Sequence, residues 1–160
     1  MWMCRISFLR TSERRGEGLV MRAIVALVEH YLREWDSSGW ASAYHSLVEL
    51  GPQVLPELEK QLATSRDSKF RAALVELARQ LHSEDALPLF EAALRDPSPE
   101  VWKAALDGLV ASASPASLLL LEEAAERKPP GRTDFPEWEA WVREALQQAR
   151  AEFEARGGAA

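Results

Sequence analysis

One cysteine, Cys4, is all the chain has. It can therefore close no internal disulfide and build no multi-cysteine zinc site. No apolar run approaches the ~20 residues that a membrane helix needs, and the apolar pieces of the opening "MWMCRISFLR" are too short and interrupted for a signal-peptide core. A cytoplasmic protein without a membrane partner is expected. The sequence also contains no G-x-x-x-x-G-K-[ST] loop, no G-x-S-x-G elbow and no glycine-rich dinucleotide loop. No catalytic activity and no cofactor are expected. Basic residues are the scarcer charge, 19 Lys and Arg against 25 Asp and Glu, for a net −6. Four arginines fall in the first twenty residues, so the remainder is more acidic still. Phosphate backbones need a clustered basic face, which speaks against nucleic acid and for a protein partner with a basic surface.

Helical periodicity is abundant. From Val20 the apolar positions Ile24, Leu27, Val28, Tyr31 and Trp35 step by three and four, one face of a helix. "DSSG" (36–39) stops it, a second helix runs from about Trp40 to Leu50, and Gly51-Pro52 makes a break. Leu55, Leu58 and Leu62 stripe a third helix; Phe70, Leu74, Leu77 and Leu81 a fourth; Leu87, Phe90 and Leu94 a fifth. In "DPSPE" Ser98 reads as N-cap, Pro99 as first helical residue and Glu100 as a first-turn acid. The sixth helix carries Trp102, Ala105, Leu106 and Leu109. Ser114-Pro115 repeats the device before Leu118 and Leu121. After "KPPGRTDFP", Asp134 with Glu137 resembles a capping box, and the last helix buries Trp138, Val142, Leu146, Ala149 and Phe153. Its polar positions Glu137, Glu139, Arg143, Glu144, Gln147 and Arg150 lie off that stripe. No segment reads as a strand.

The helices repeat. "KFRAALVEL" (69–77) superposes on "VWKAALDGL" (101–109) at a spacing of 32, with Phe70 on Trp102 and Leu74 on Leu106. Leu55, Pro56, Leu58 and Leu62 fall on Leu87, Pro88, Phe90 and Leu94 at the same spacing, and Ser83, Leu87 and Phe90 fall on Ser114, Leu118 and Leu121 at 31. A period of this length means stacked helix pairs, none able to bury its own apolar face. The expected fold is all-α, a short α-solenoid. An irregular basic leader (1–19) precedes a cap helix (20–35) and repeats near 40–64, 67–95 and 98–127. A linker (128–134), a C-terminal cap helix (135–155) and a disordered tail (156–160) follow. Codons for Arg15-Gly16-Glu17 can spell a ribosome-binding sequence, which makes Met21 an alternative start.

At these residues the chain resembles the bacterial HEAT-like repeat family, in the short form also found in phycobiliprotein lyases. That family's pattern is roughly D-P-x-P-x-V-R-x-x-A-x-x-A-L. Asp96, Pro97, Pro99, Val101, Ala105 and Leu109 match it; Trp102 stands where Arg is usual and Gly108 where Ala is. The resemblance implies that the second helix of each pair lines the concave side. Those helices carry Gln53, Glu57 and Lys60, then Asp85, Leu89 and Ala92, then Ala116, Leu120 and Glu123. The expected site is thus a groove centred on Leu89 and Leu120, with Glu57, Asp85 and Glu123 steering a basic partner and Lys60 on its rim. The counter-reading is that both leucines pack between repeats. An inhibitor or immunity-type protein that blocks a basic toxin or enzyme is the pointed version of this function.

An enzyme is the competing class. His30 with Glu34 and His45 with Glu49 are spaced i,i+4 and could share a metal. The HEAT-repeat enzyme deoxyhypusine hydroxylase uses adjacent His-Glu dyads, and here no His is followed directly by Glu. Trp102 beside Asp107 is similar to the aromatic and acid of HEAT-like DNA glycosylases, but no basic stripe accompanies it. A solvated helix face accounts for the first pattern and a core tryptophan for the second.

Overall fold

Prolines begin five of the described α-helices. In a computed structural model, described over residues 18–31, 34, 40–127 and 134–158, Pro56, Pro88, Pro99, Pro115 and Pro136 each occupy one of the first two positions of an α-helix. There the missing N–H would have had no intrahelical partner, and the fixed φ suits the first turn. The helices are α1 (18–31), α2 (Trp40–Leu50), α3 (Leu55–Thr64), α4 (Ser68–Gln80), α5 (Leu87–Leu94), α6 (Pro99–Ser112), α7 (Pro115–Glu126) and α8 (Phe135–Ala155). Short 3-10 turns at Gly51–Val54 and Glu84–Ala86 lead into α3 and α5. The described residues include no strand. The leader up to residue 17, Trp35, the 36–39 stop and linker residues 128–133 lie outside the described residues.

The chain divides into two compact units, Met1–Glu49 and Leu50–Ala160. In the first, Ile24, Val28 and Tyr31 of α1 and Ala43 and Leu47 of α2 are buried. The Tyr31 and Tyr44 rings lie 6.4 Å apart, tilted by 49°. Burial, and after it the neighbouring Tyr44, push the Tyr31 hydroxyl above the usual phenol pKa.

The second unit is two layers of helices. α4, α6 and α8 lie side by side in extensive contact, whereas α3, α5 and α7 touch one another only slightly. A stack bends toward its more closely packed layer, so α4, α6 and α8 form the inner side. Each outer helix leans chiefly on the inner helix that follows it: α3 on α4, α5 on α6, α7 on α8. Packing therefore groups the helices one step out of phase with the pairs read from sequence spacing. An array in which every helix has neighbours on both sides admits either frame.

α6 is the centre of this unit. Its Val101, Trp102, Ala105, Leu106 and Leu109 are buried. The Trp102 ring meets Trp138 of α8 edge-on, with centroids 5.2 Å apart and planes at 75°, an arrangement the ring quadrupoles favour. Phe70, equivalent to Trp102 one repeat earlier, is 1% exposed. Gly108 explains itself by what presses on it. A Cβ there would come within 2.5 Å of the Phe90 ring of α5, so the glycine makes room for an aromatic where the preceding repeat carries Leu58.

The turns are fastened by side chains. Ser114 forms a reciprocal capping box with Ser117 at the start of α7. Asp67 accepts the N–H groups of Lys69 and Phe70, 2.9 and 3.2 Å, at the start of α4. Ser98 occupies the N-cap of α6 without a side-chain cap bond; its own N–H donates to Asp96 Oδ1 at 2.9 Å. The same Asp96 receives Arg71 in a bidentate pair, Nε to Oδ2 2.7 Å and Nη2 to Oδ1 2.9 Å. Arg71 also donates Nη1 to the Ser65 carbonyl at 3.1 Å. One guanidinium thus ties the α3–α4 turn, α4 and the α5–α6 turn together, and both side chains are almost buried.

Two expectations are corrected at the C-terminal helix. Asp134 makes no side-chain cap bond, and Glu137, the other half of the expected box, pairs instead with Lys103 of α6, 2.5 Å away. Residues 156–158 are not a disordered tail. Gly157 at φ +84° places its N–H on Glu154 O and that of Gly158 on Phe153 O, both 3.0 Å, the bonding of a Schellman C-cap.

Gly108→Ala should destabilise the protein by about 1–2 kcal/mol in urea unfolding, overpacking at Phe90 outweighing the helix propensity of alanine. Adding Phe90→Leu should recover part of that loss. Asp96→Ala should cost about 2–3 kcal/mol in the same measurement, since it strands a nearly buried guanidinium. A cost below 0.5 kcal/mol would show that the clasp is replaced by water.

Candidate interaction surface

The positions 57, 89 and 120 share one register of the outer layer, and that register points into the stack. Leu89 is 0% exposed and Glu57 5%, while Leu120 is half-buried. The expected leucine-centred groove is therefore corrected: Leu89 is core, packed within the stack, and Leu120 is half withdrawn. Glu57 is also no steering charge. Its carboxylate accepts Gln61 Nε2 at 2.7 Å and Lys60 Nζ at 3.3 Å, so it and Lys60 answer each other within α3. Asp85 and Glu123 are exposed; Asp85 is held in the turn before α5 by Ser83, whose hydroxyl accepts its N–H at 3.2 Å. These residues are not gathered into one site.

The outer apolar group that the sequence reading missed is Leu119, 57% exposed. The repeat spacing carried a signal for it, because Leu119 falls on Pro88 and Pro56, both of which are exposed.

The inner layer presents a different surface. Trp141 of α8 is 40% exposed, on the flank of the stripe that buries Trp138 and Val142. Lys103 of α6 lies over it, Nζ 4.6 Å from the Trp141 centroid and 5.3 Å from that of Trp102. Glu137 completes the cluster with its 2.5 Å ion pair to Lys103. The ammonium is held by two rings and a carboxylate, and in turn fixes the Trp141 indole.

Further along the same layer is a groove of about 500 Å³, lined by Arg79 of α4 and His82 just after it, Asp107, Val110 and Ala111 of α6, and Glu152 of α8 with Arg156 just after it. Arg79 is paired with Glu76 through two contacts of 2.7 and 2.5 Å. Arg156 donates to the Ser112 and Ala111 carbonyls at 2.9 and 3.1 Å, capping the negative end of α6. Partial burial, then repulsion from Glu76, raise the Asp107 carboxyl above its ordinary pKa, against the pull of Arg79. For Glu76 the opposite holds: burial raises it, but the bonds from Arg79 and Gln80 prevail and its pKa falls.

Other chemistry finds no assembled site. Among the described residues no three of His, Cys, Asp and Glu gather into a metal-ligating group, and His30, His45 and Glu49 are exposed. No described helix is long and apolar enough to cross a membrane.

The two leucine environments can be separated by measurement. Leu89→Asp should unfold the protein or cost more than about 4 kcal/mol, since it buries a charge in the core. Leu119→Asp should stay within about 0.5 kcal/mol of the parent in thermal melting.

No curated protein and no solved structure matches the chain significantly. A family model for HEAT repeats does match, over residues 55–149, from the first residue of α3 into α8. That span coincides with the two-layered unit described above and covers more than half of the sequence. The chain belongs to the HEAT-repeat family.

Proposed function

We propose that this chain is a non-catalytic protein-binding module whose partner lies along the inner α4/α6/α8 layer, with Trp141 as its anchor. HEAT repeats are commonly protein-interaction modules, and their stacked helices offer long continuous faces. The observation that carries the reading is Trp141, left 40% exposed in a unit that buries Trp102 and Trp138 to 2% or less. Tryptophan is the residue type most enriched among interface hot spots. Lys103 and Glu137 supply a charged border and hold the ring in one orientation, which lowers the entropy lost on binding.

The test is a photo-crosslinking residue placed at the exposed position 148, two turns along α8 from Trp141, and, separately, at position 119 of the outer layer, irradiated in cells. Specific adducts from position 148, lost in Trp141→Ala, and none from position 119 are expected. Adducts from position 119 alone, or none from 148 in a protein with unchanged circular dichroism, would sink the inner-face reading.

A further inference from the structure

Trp141 is not a bare indole. Its ring already carries the Lys103 ammonium, with Nζ 4.6 Å from the centroid. The same ammonium lies 5.3 Å from the Trp102 centroid and is paired with Glu137. One cation thus rests on two rings, of which Trp102 is fully buried and Trp141 is 40% exposed. Whatever covers Trp141 meets an indole that is polarised from within the protein.

That polarisation decides among the chemistries a partner can bring. The face of an indole is the negative lobe of its quadrupole, which repels an anion. Glu137 in the cluster and Glu144, exposed one helical turn along α8, add to that repulsion. A cation gains little either. Its attraction to a ring comes from the same lobe, and Lys103 already draws on it. A second cation stacked about 4 Å from the ring would stand roughly 8–9 Å from the Lys103 ammonium, inside the ~10 Å screening length of 0.1 M salt. Glu137 offsets the repulsion between the two charges, but not the pull of the ammonium on the π electrons. A neutral ring has neither handicap. Its electron-rich face can lie offset against an indole whose density is drawn toward Lys103, an arrangement that ring quadrupoles favour.

We infer that the partner group on Trp141 is an aromatic side chain, Tyr, Trp or Phe, stacked on the exposed part of the indole away from Lys103, and that Lys103 sets this preference. This rests on the reading of Trp141 as the anchor of the binding face. Whatever charge the partner carries elsewhere, it presents a neutral ring at this point.

Random dodecamer peptides displayed on phage and panned on the full chain test this. Peptides that also bind the Trp141→Ala variant are discarded. Those kept should share one fixed aromatic position, and changing that residue to Arg or Glu should weaken binding by roughly 3- to 30-fold. Lys103→Met removes the ammonium and keeps an apolar stem. Peptides panned on that variant should accept Arg or Lys at the fixed position, whereas Lys103→Arg, which keeps a cation on the ring, should retain the aromatic. Parent-selected peptides without a fixed aromatic, or an aromatic preference that Lys103→Met leaves unchanged, would overturn this inference and leave the binding face standing. No Trp141-dependent peptide at all would overturn the binding face, and this inference with it. Lys103 and Trp141 are both partly exposed, so matching melting curves should show each variant folded, and Lys103→Gln is a second variant with the same readout.

Discussion

Helix α6 cannot be buried by any single neighbour, and the Leu50–Ala160 unit is arranged around that constraint. It touches α4, α5, α7 and α8, and its Trp102 is fully buried against Trp138. A side chain of that size brings about 1.5–3 kcal/mol when removed from water, but only if helices close on it from several sides. α4 and α8 do so within one layer and α5 from the other. This is the solenoid condition in local form: each helix is stable because the next one is there.

Two adjustments let the helices close. Gly108 gives up its side chain so that the Phe90 ring can seat on α6, which joins the outer layer to the inner one. Arg71 and Asp96 fasten successive turns, and the aspartate belongs to the same Asp-Pro turn that starts α6. Such a pair contributes little unless the geometry is good and the remaining polar atoms are satisfied. Here the aspartate accepts three bonds and the guanidinium also reaches a carbonyl. The turn sequence is therefore both a helix start and an inter-repeat tie.

Curvature then divides the surface into unlike halves. The outer layer packs Leu89 into the stack, which removes it from any contact with a partner, and leaves Leu119 exposed. The inner layer keeps Trp141 exposed and pairs Lys103 with Glu137 and Arg79 with Glu76 internally. Internal pairing makes such a face selective, because a partner that brings charge to the wrong place finds no answering group and must desolvate it.

The sequence by itself determined the helices, their caps at Ser114 and Pro115, the repeat near 32 residues and the family. All of these rest on chain-local physics: periodicity, capping chemistry and proline geometry act over a few residues and recur where the fold recurs. Charged positions on α8 were legible for the same reason. Tertiary structure alone decided which layer is inner, that Leu89 and Glu57 share a buried register, that Glu137 serves Lys103 rather than a cap, and that Trp141 stays exposed. The outline of an amphipathic helix separates its centre from its back, but the flank positions are buried or exposed by whichever helix lies beside them. Residues 57, 89, 120 and 141 all stand on such flanks, and their neighbours come from elsewhere in the chain.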